Sequence, residues 1–143
     1  MPEADGRPLL LDTHVWVWLA DAPDRVSPGC VDLVRRAQPA GWVHISPISA
    51  WEVAMLVRKG RLVLSLDVHT WVRRTLASDL RVAPLTPDIA LDGGFLPGTA
   101  TGDPADRIII ATARALGARL VTRDAAILAY GRAGHVAVLD AVG

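Results

Sequence analysis

Two apolar patterns alternate along the chain: short continuous runs, and stretches with helical spacing. PLLLD at 8–12, WVHIS at 42–46, ARLVT at 118–122 and HVAVLD at 135–140 predict strands, with a further short strand near 80–83. Between them the spacing predicts helices over 13–20, 27–38, 48–60, 68–78, 86–92, 104–116 and 124–130. Ser27 and Pro28 give the second helix a cap and a first-turn proline, while Gly60 and Gly117 stop the third and sixth. Strands separated by helices imply parallel pairing through right-handed crossovers. Near-continuous strands such as LLL imply a sheet covered on both faces. The expected class is α/β: an α/β/α sandwich of three layers around a central, mostly parallel sheet of four to five strands. The chain has 143 residues, with no repeat and no linker, so a single domain over 1–143 is expected, with 1–7 as a loose N-terminus.

Against this pattern one position stands out. Asp106 opens the apolar face of the helix in GDPADRIIIATARALG, because Ile109, Ile110, Ala113 and Gly117 follow it at helical spacing. A carboxylate aimed at a core needs a compensating partner. Other acids also fall in unexpected places: Asp12 after LLL and Asp124 after LVT at strand ends, and Glu52 inside an apolar helix. In open parallel sheets, ligands bind beyond the carboxyl ends of the strands, where Asp12 and Asp124 are expected. Each acid also has a plainer reading. Asp12, Asp103 and Asp124 suit helix N-caps, and Ser49 with Glu52 has the spacing of a capping box. Asp106 suits the positive end of the helix dipole, although a dipole partner has no need to face the core. Taken together, four acids at these places point to a shared oxygen-ligand site suited to Mg2+ or Mn2+ rather than zinc. Waters kept by such an ion can supply a nucleophile for phosphodiester hydrolysis.

Composition narrows the options. With 15 basic and 15 acidic residues the net charge is zero, so no strongly basic nucleic-acid footprint is present. Apolar residues make up 51%, which excludes a disordered chain. Cys30 is the lone cysteine, so neither an intramolecular disulfide nor a cysteine metal site is available, and a reducing compartment is expected. MPEADGRP has no hydrophobic run of the signal-peptide kind, and no apolar stretch reaches membrane-spanning length. The expectation is a soluble cytoplasmic protein without a membrane partner.

DTHVWVWL at 12–19, SPISAWEVAMLVRKGRL at 46–62, LTPDIA at 85–90, DPADRIIIATAR at 103–114 and LVTRDAAIL at 120–128 occur in an order that resembles the PIN-domain ribonucleases of the VapC toxin type. The resemblance implies a Mg2+-dependent endoribonuclease, with Mn2+ as the alternative ion, acting as the toxin of a toxin–antitoxin pair. It implies Asp12, Glu52, Asp106 and Asp124 as catalytic and metal-binding acids, and Asp103 of the DPAD motif as an auxiliary ligand. It further implies Thr13, Ser49 and Thr122 as hydroxyls supporting those acids, a VapB-like antitoxin whose tail blocks the acidic pocket, an RNA substrate and a homodimer. FLPGTATG, before Asp103, lacks the histidine of the closest subgroup, so no imidazole role is expected there.

Other residues bear on substrate. Trp16, Trp18, Trp42, Trp51 and Trp71 can stack on RNA bases or pack in a core or dimer interface. Trp51, beside Glu52, is the best candidate for a substrate contact. Arg107 can reach a phosphate or join a solvated salt bridge. Arg58, Lys59 and Arg61 form the densest basic cluster, a steering patch or simply a solvated helix end. His14 and His44 lack metal-ligand spacing and read as structural. Two other classes compete with the nuclease: a non-catalytic PIN-like module that binds RNA or protein, and a phosphoacceptor receiver domain. The receiver lacks support, because the first strand end has no acidic pair and the last strand has no nearby Lys.

Overall fold

A computed structural model describes residues 6–143. The loose N-terminus expected at 1–7 falls outside the described residues up to position 5. Five strands and seven α-helices alternate: β1 Leu9–Leu11, α1 Thr13–Asp21, α2 Pro28–Ala37, β2 Val43–Ile45, α3 Pro47–Arg58, α4 Val68–Leu76, β3 Arg81–Val82, α5 Pro87–Gly94, α6 Pro104–Leu116, β4 Arg119–Thr122, α7 Ala125–Arg132 and β5 Ala137–Asp140. The sheet runs β3-β2-β1-β4-β5 and every pairing is parallel, so "mostly parallel" becomes wholly parallel.

The side-chain alternation of β1 explains the three layers. Leu9 and Leu11 join a cluster with Val15 and Trp16 of α1, Val34 of α2, Val53 of α3 and Trp71 of α4. Leu10 points the other way, into Ile89 of α5, Ile109 and Ile110 of α6 and Ile127 of α7. All three leucines are at most 1% exposed, so both faces of the strand are sealed. Each such burial contributes about 1.5–3 kcal/mol. The short β3 has both residues exposed and forms one edge of the sheet.

The same topology gathers helix starts at one edge. The crossover helices run antiparallel to the strands, so their N-termini lie where the strands end. Leu11 pairs with Val121, and the Asp12 N–H donates to the Val121 carbonyl at 2.9 Å. That register sets Asp12 beside Thr122, across 110 residues of sequence. Gly117 closes α6 in the left-handed conformation (φ 62°). It is exposed there, so the apolar stripe behind Asp106 ends at Ala113 rather than reaching Gly117. Among the described residues, no helix is long and apolar enough to cross a membrane.

Candidate metal centre

Three of the acids are helix caps as well as members of one cleft. Asp12 caps α1 by accepting from the Thr13 N–H at 2.8 Å, and its second oxygen accepts from the Thr122 hydroxyl at 2.7 Å. Asp103 caps α6 by accepting from the Asp106 N–H at 3.0 Å. Asp124 caps α7 by accepting from the Ile127 N–H at 3.0 Å, while its own N–H donates to Thr122 Oγ1 at 3.0 Å. Capping and gathering are therefore not alternatives here. A cap sits at a helix N-terminus, and the topology brings those termini to one edge.

Glu52 is the exception, and the capping-box expectation is corrected. Pro47 takes the first helical position of α3, so Ser46 is the cap and its hydroxyl accepts from the Ile48 N–H. Ser49 and Glu52 thus lie inside the helix. Ser49 is fully buried, with its Oγ 2.9 Å from Thr13 Oγ1, and the Thr13 hydroxyl donates to the Glu52 carboxylate. The expected supporting hydroxyls, Thr13, Ser49 and Thr122, all lie in this network.

Carboxylate oxygens of Glu52, Asp103 and Asp106 come within 4.8 Å of one another. Asp12, Glu52, Asp103, Asp106 and Asp124 line a single cleft of about 450 Å³, together with His14, Trp18 and Arg123. Burial first, then repulsion from Asp12, Asp103, Asp124 and Glu52, pushes the Asp106 carboxyl up to about 8. Burial also raises Asp12 and Glu52, against the hydrogen bonds from Thr122 and Thr13 that favour their charged forms. Among the described residues no donor reaches the Asp106 carboxylate. A divalent cation bound by oxygen ligands would supply the missing positive charge, and this donor set fits one.

The remaining expectations divide. Trp16 and Trp71 are core residues with rings 4.9 Å apart, and Trp42 is half-buried against the same core. Trp51 is 55% exposed, in a neighbouring groove shared with Glu52, Asp103, Lys59 and Arg61. Arg58, Lys59 and Arg61 are solvent-facing. Arg107, expected to reach a phosphate or to join a solvated salt bridge, has its guanidinium turned to a loop. Its three guanidinium nitrogens donate to the carbonyls of Gly93 (2.8 Å), Thr101 (3.0 Å) and Gly94 (3.2 Å). It ties down the Gly- and Pro-rich loop before Asp103, which the Tyr130 hydroxyl also grips through the Pro97 carbonyl.

His44 lies inside β2 and does not line the cleft, whereas His14 is exposed and lines it. Trp18 and Arg123 were missed as cleft residues. A signal existed, since His14 and Trp18 are one turn apart on the helix that Asp12 caps, and Arg123 lies between Thr122 and Asp124.

A family model described as PIN domain matches residues 9–133. Ribonuclease VapC22 of Mycobacterium tuberculosis is 37% identical over 116 residues, covering 81% of this chain and 86% of that protein. Among solved structures, VapBC2 from Rickettsia felis bound to a DNA fragment from its promoter superposes with a TM-score of 0.64 at 19% identity, covering 92% of this chain and 96% of that one. FitAB bound to the IR36 DNA fragment gives 0.55 at 21% identity, with 92% and 93% covered. At such identities these two superpositions carry the fold alone. The family-model match over residues 9–133 and the 37% identical relative show that the chain belongs to the PIN domain family.

Proposed function

We propose that this chain is a divalent-metal-dependent endoribonuclease that hydrolyses RNA phosphodiester bonds as the toxin of a toxin–antitoxin pair. One observation carries the reading: five acids line one cleft of a PIN fold, and the most crowded, Asp106, is pushed up to about 8. Such crowding costs stability unless a cation relieves it. The curated relative Ribonuclease VapC22 supports RNA as the substrate. The VapC type of that relative, with the motif order that resembles VapC toxins, supports an antitoxin partner. We assign this chain a VapB-like antitoxin whose tail covers the acidic cleft, a homodimeric state, a single PIN domain over 1–143 and a cytoplasmic location.

Mg2+ is the proposed ion, with Mn2+ as the alternative. Asp12 and Asp106 are the proposed principal ligands; Glu52 and Asp103 stand close to Asp106, and Asp124 completes the pocket. When bound, such an ion acidifies water and neutralises charge on a phosphodiester. The protein's own contribution is orientation. Thr122 fixes one oxygen of Asp12 and the backbone N–H of Thr13 fixes the other. The Thr13 side chain aims Glu52 from the opposite helix. Burial and the neighbouring acids favour the protonated form of Asp106, and a bound ion would favour the charged one.

The test is RNA cleavage by wild type and Asp12→Ala, each with Mg2+ and with EDTA. Cleavage only by wild type and only with the ion is expected. Chelator-insensitive cleavage, or an equally active variant, would sink the proposal.

A further inference from the structure

A phosphodiester is an anion, and this cleft is lined by five acids. A bound ion offsets part of that charge, but the flanking phosphates of an RNA strand still need a counter-charge at the cleft mouth. Two guanidinium groups adjoin the cleft acids in sequence, Arg107 after Asp106 and Arg123 before Asp124. Arg107 is turned to three backbone carbonyls. Arg123 is different: it is exposed, lines the cleft, and among the described residues makes no ion pair or hydrogen bond. What it touches is an aromatic face. Its guanidinium carbon lies 5.9 Å from the centre of the Trp18 ring, and that of Arg25 lies 5.6 Å from the same ring. His14 stands 6.1 Å from Trp18 on the same helix.

Trp18 is half-buried and packs against the core, so its ring is anchored. An anchored indole holds a guanidinium in place through its π-face and leaves the N–H fork free for an anion. We propose that Arg123, held over Trp18 at the mouth of the acidic cleft, grips an RNA phosphate and draws the strand against the carboxylates, with Trp18 as its positioning residue and Arg25 as a second cation behind it. The inference rests on RNA as the substrate and adds the group that binds it.

The experiment is anisotropy of a fluorescein-labelled single-stranded RNA oligonucleotide with Mg2+ over a salt series, in an Asp106→Asn background where cleavage is disabled. Wild-type cleavage is measured alongside. Arg123→Ala should weaken binding about tenfold. It should also flatten the slope of log K against log salt by about 0.7, the share of one phosphate contact to a single strand. Arg123→Lys keeps the charge and should restore the slope, which a merely structural arginine would not do. Trp18→Leu should weaken binding about threefold with the slope unchanged, and Trp18→Phe should recover most of the loss.

If Arg123→Ala binds as tightly and with the same slope, the proposal falls; cleavage by wild type would then leave the nuclease reading intact. If wild type cleaves no RNA but binds it through Arg123, the nuclease reading falls and the grip stands. A parent protein that binds no RNA overturns the grip.

Discussion

Helix α1 carries a carboxylate at each end, and the two behave in opposite ways. The helix dipole favours a negative charge at the N-terminus, where Asp12 sits, and disfavours one at the C-terminus, where Asp21 sits. The shifts run the other way. Burial raises the Asp12 carboxyl despite its two hydrogen bonds. Burial also works against the Asp21 charge, but donors from Trp71 and from the Ser65 backbone and hydroxyl outweigh it and pull that carboxyl below the usual range. Local surroundings therefore outweigh the dipole at both ends. Asp21 fastens α1 to the segment before α4 and to the Trp71 indole. Asp12 is held among other acids, and its neighbour Asp106 is the extreme case. A satisfied acid is a fastener, whereas a crowded, underpaired acid has a missing partner.

The largest test of this contrast is catalytic. Asp12→Ala and Asp106→Ala should each lower kcat/KM for RNA about a thousandfold, the share expected of an ion that stabilises transition-state charge by several kcal/mol. Asp21→Ala, at the other end of α1, should leave kcat/KM unchanged. Asp103→Ala should lose less than Asp106→Ala, because Asp103 is exposed and its cap is replaceable; equal losses would make the two acids equivalent. Next in size is Thr122→Val, which frees one oxygen of Asp12 and should weaken the metal about 10- to 100-fold by calorimetry. The effects then move from activity to stability. Asp21→Ala leaves the buried Trp71 without its indole partner and should cost about 1–2 kcal/mol in urea unfolding. Asp106→Asn should do the opposite and stabilise the metal-free protein.

Most of the frame behind this contrast can be read from the sequence, because periodicity and punctuation are local signals. Helix starts at Pro28 and Pro104 and the stop at Gly117 match the structure. The strand runs do too, since leucines sealed on both faces leave a continuous apolar run. The four acids stood out because a carboxylate in such a pattern needs a reason. Whatever depended on competition between neighbours was not legible. Ser49 and Glu52 have the spacing of a capping box, but Pro47 starts α3 a turn earlier and Ser46 takes the cap. Arg107 reads as a free cation until the loop carbonyls around Gly93 and Thr101 are folded onto it. Trp18 and Arg123 are 105 positions apart, and only the parallel β1–β4 pairing brings α1 and the start of α7 together.

Thermal unfolding separates the two regions by the sign of their pH dependence. Asp21 has a depressed folded value, so the stability it contributes is present above its unfolded value near 3.8 and is lost as pH falls. Asp106 has a raised one, about 8 against 3.8. The folded protein then binds that proton more tightly than the unfolded chain, so stability falls as pH rises between 3.8 and about 8. In EDTA the Tm should therefore peak in mildly acid solution and decline toward pH 8, with Asp12 and Glu52 adding to the decline. Mg2+ should abolish the alkaline decline, because the ion supplies the charge that the proton otherwise provides. Asp106→Asn should flatten it without metal, and Asp21→Ala should leave it in place while removing part of the acid limb. A decline that persists unchanged in Asp106→Asn would mean that the crowding of the cleft is shared among the other acids rather than centred on Asp106.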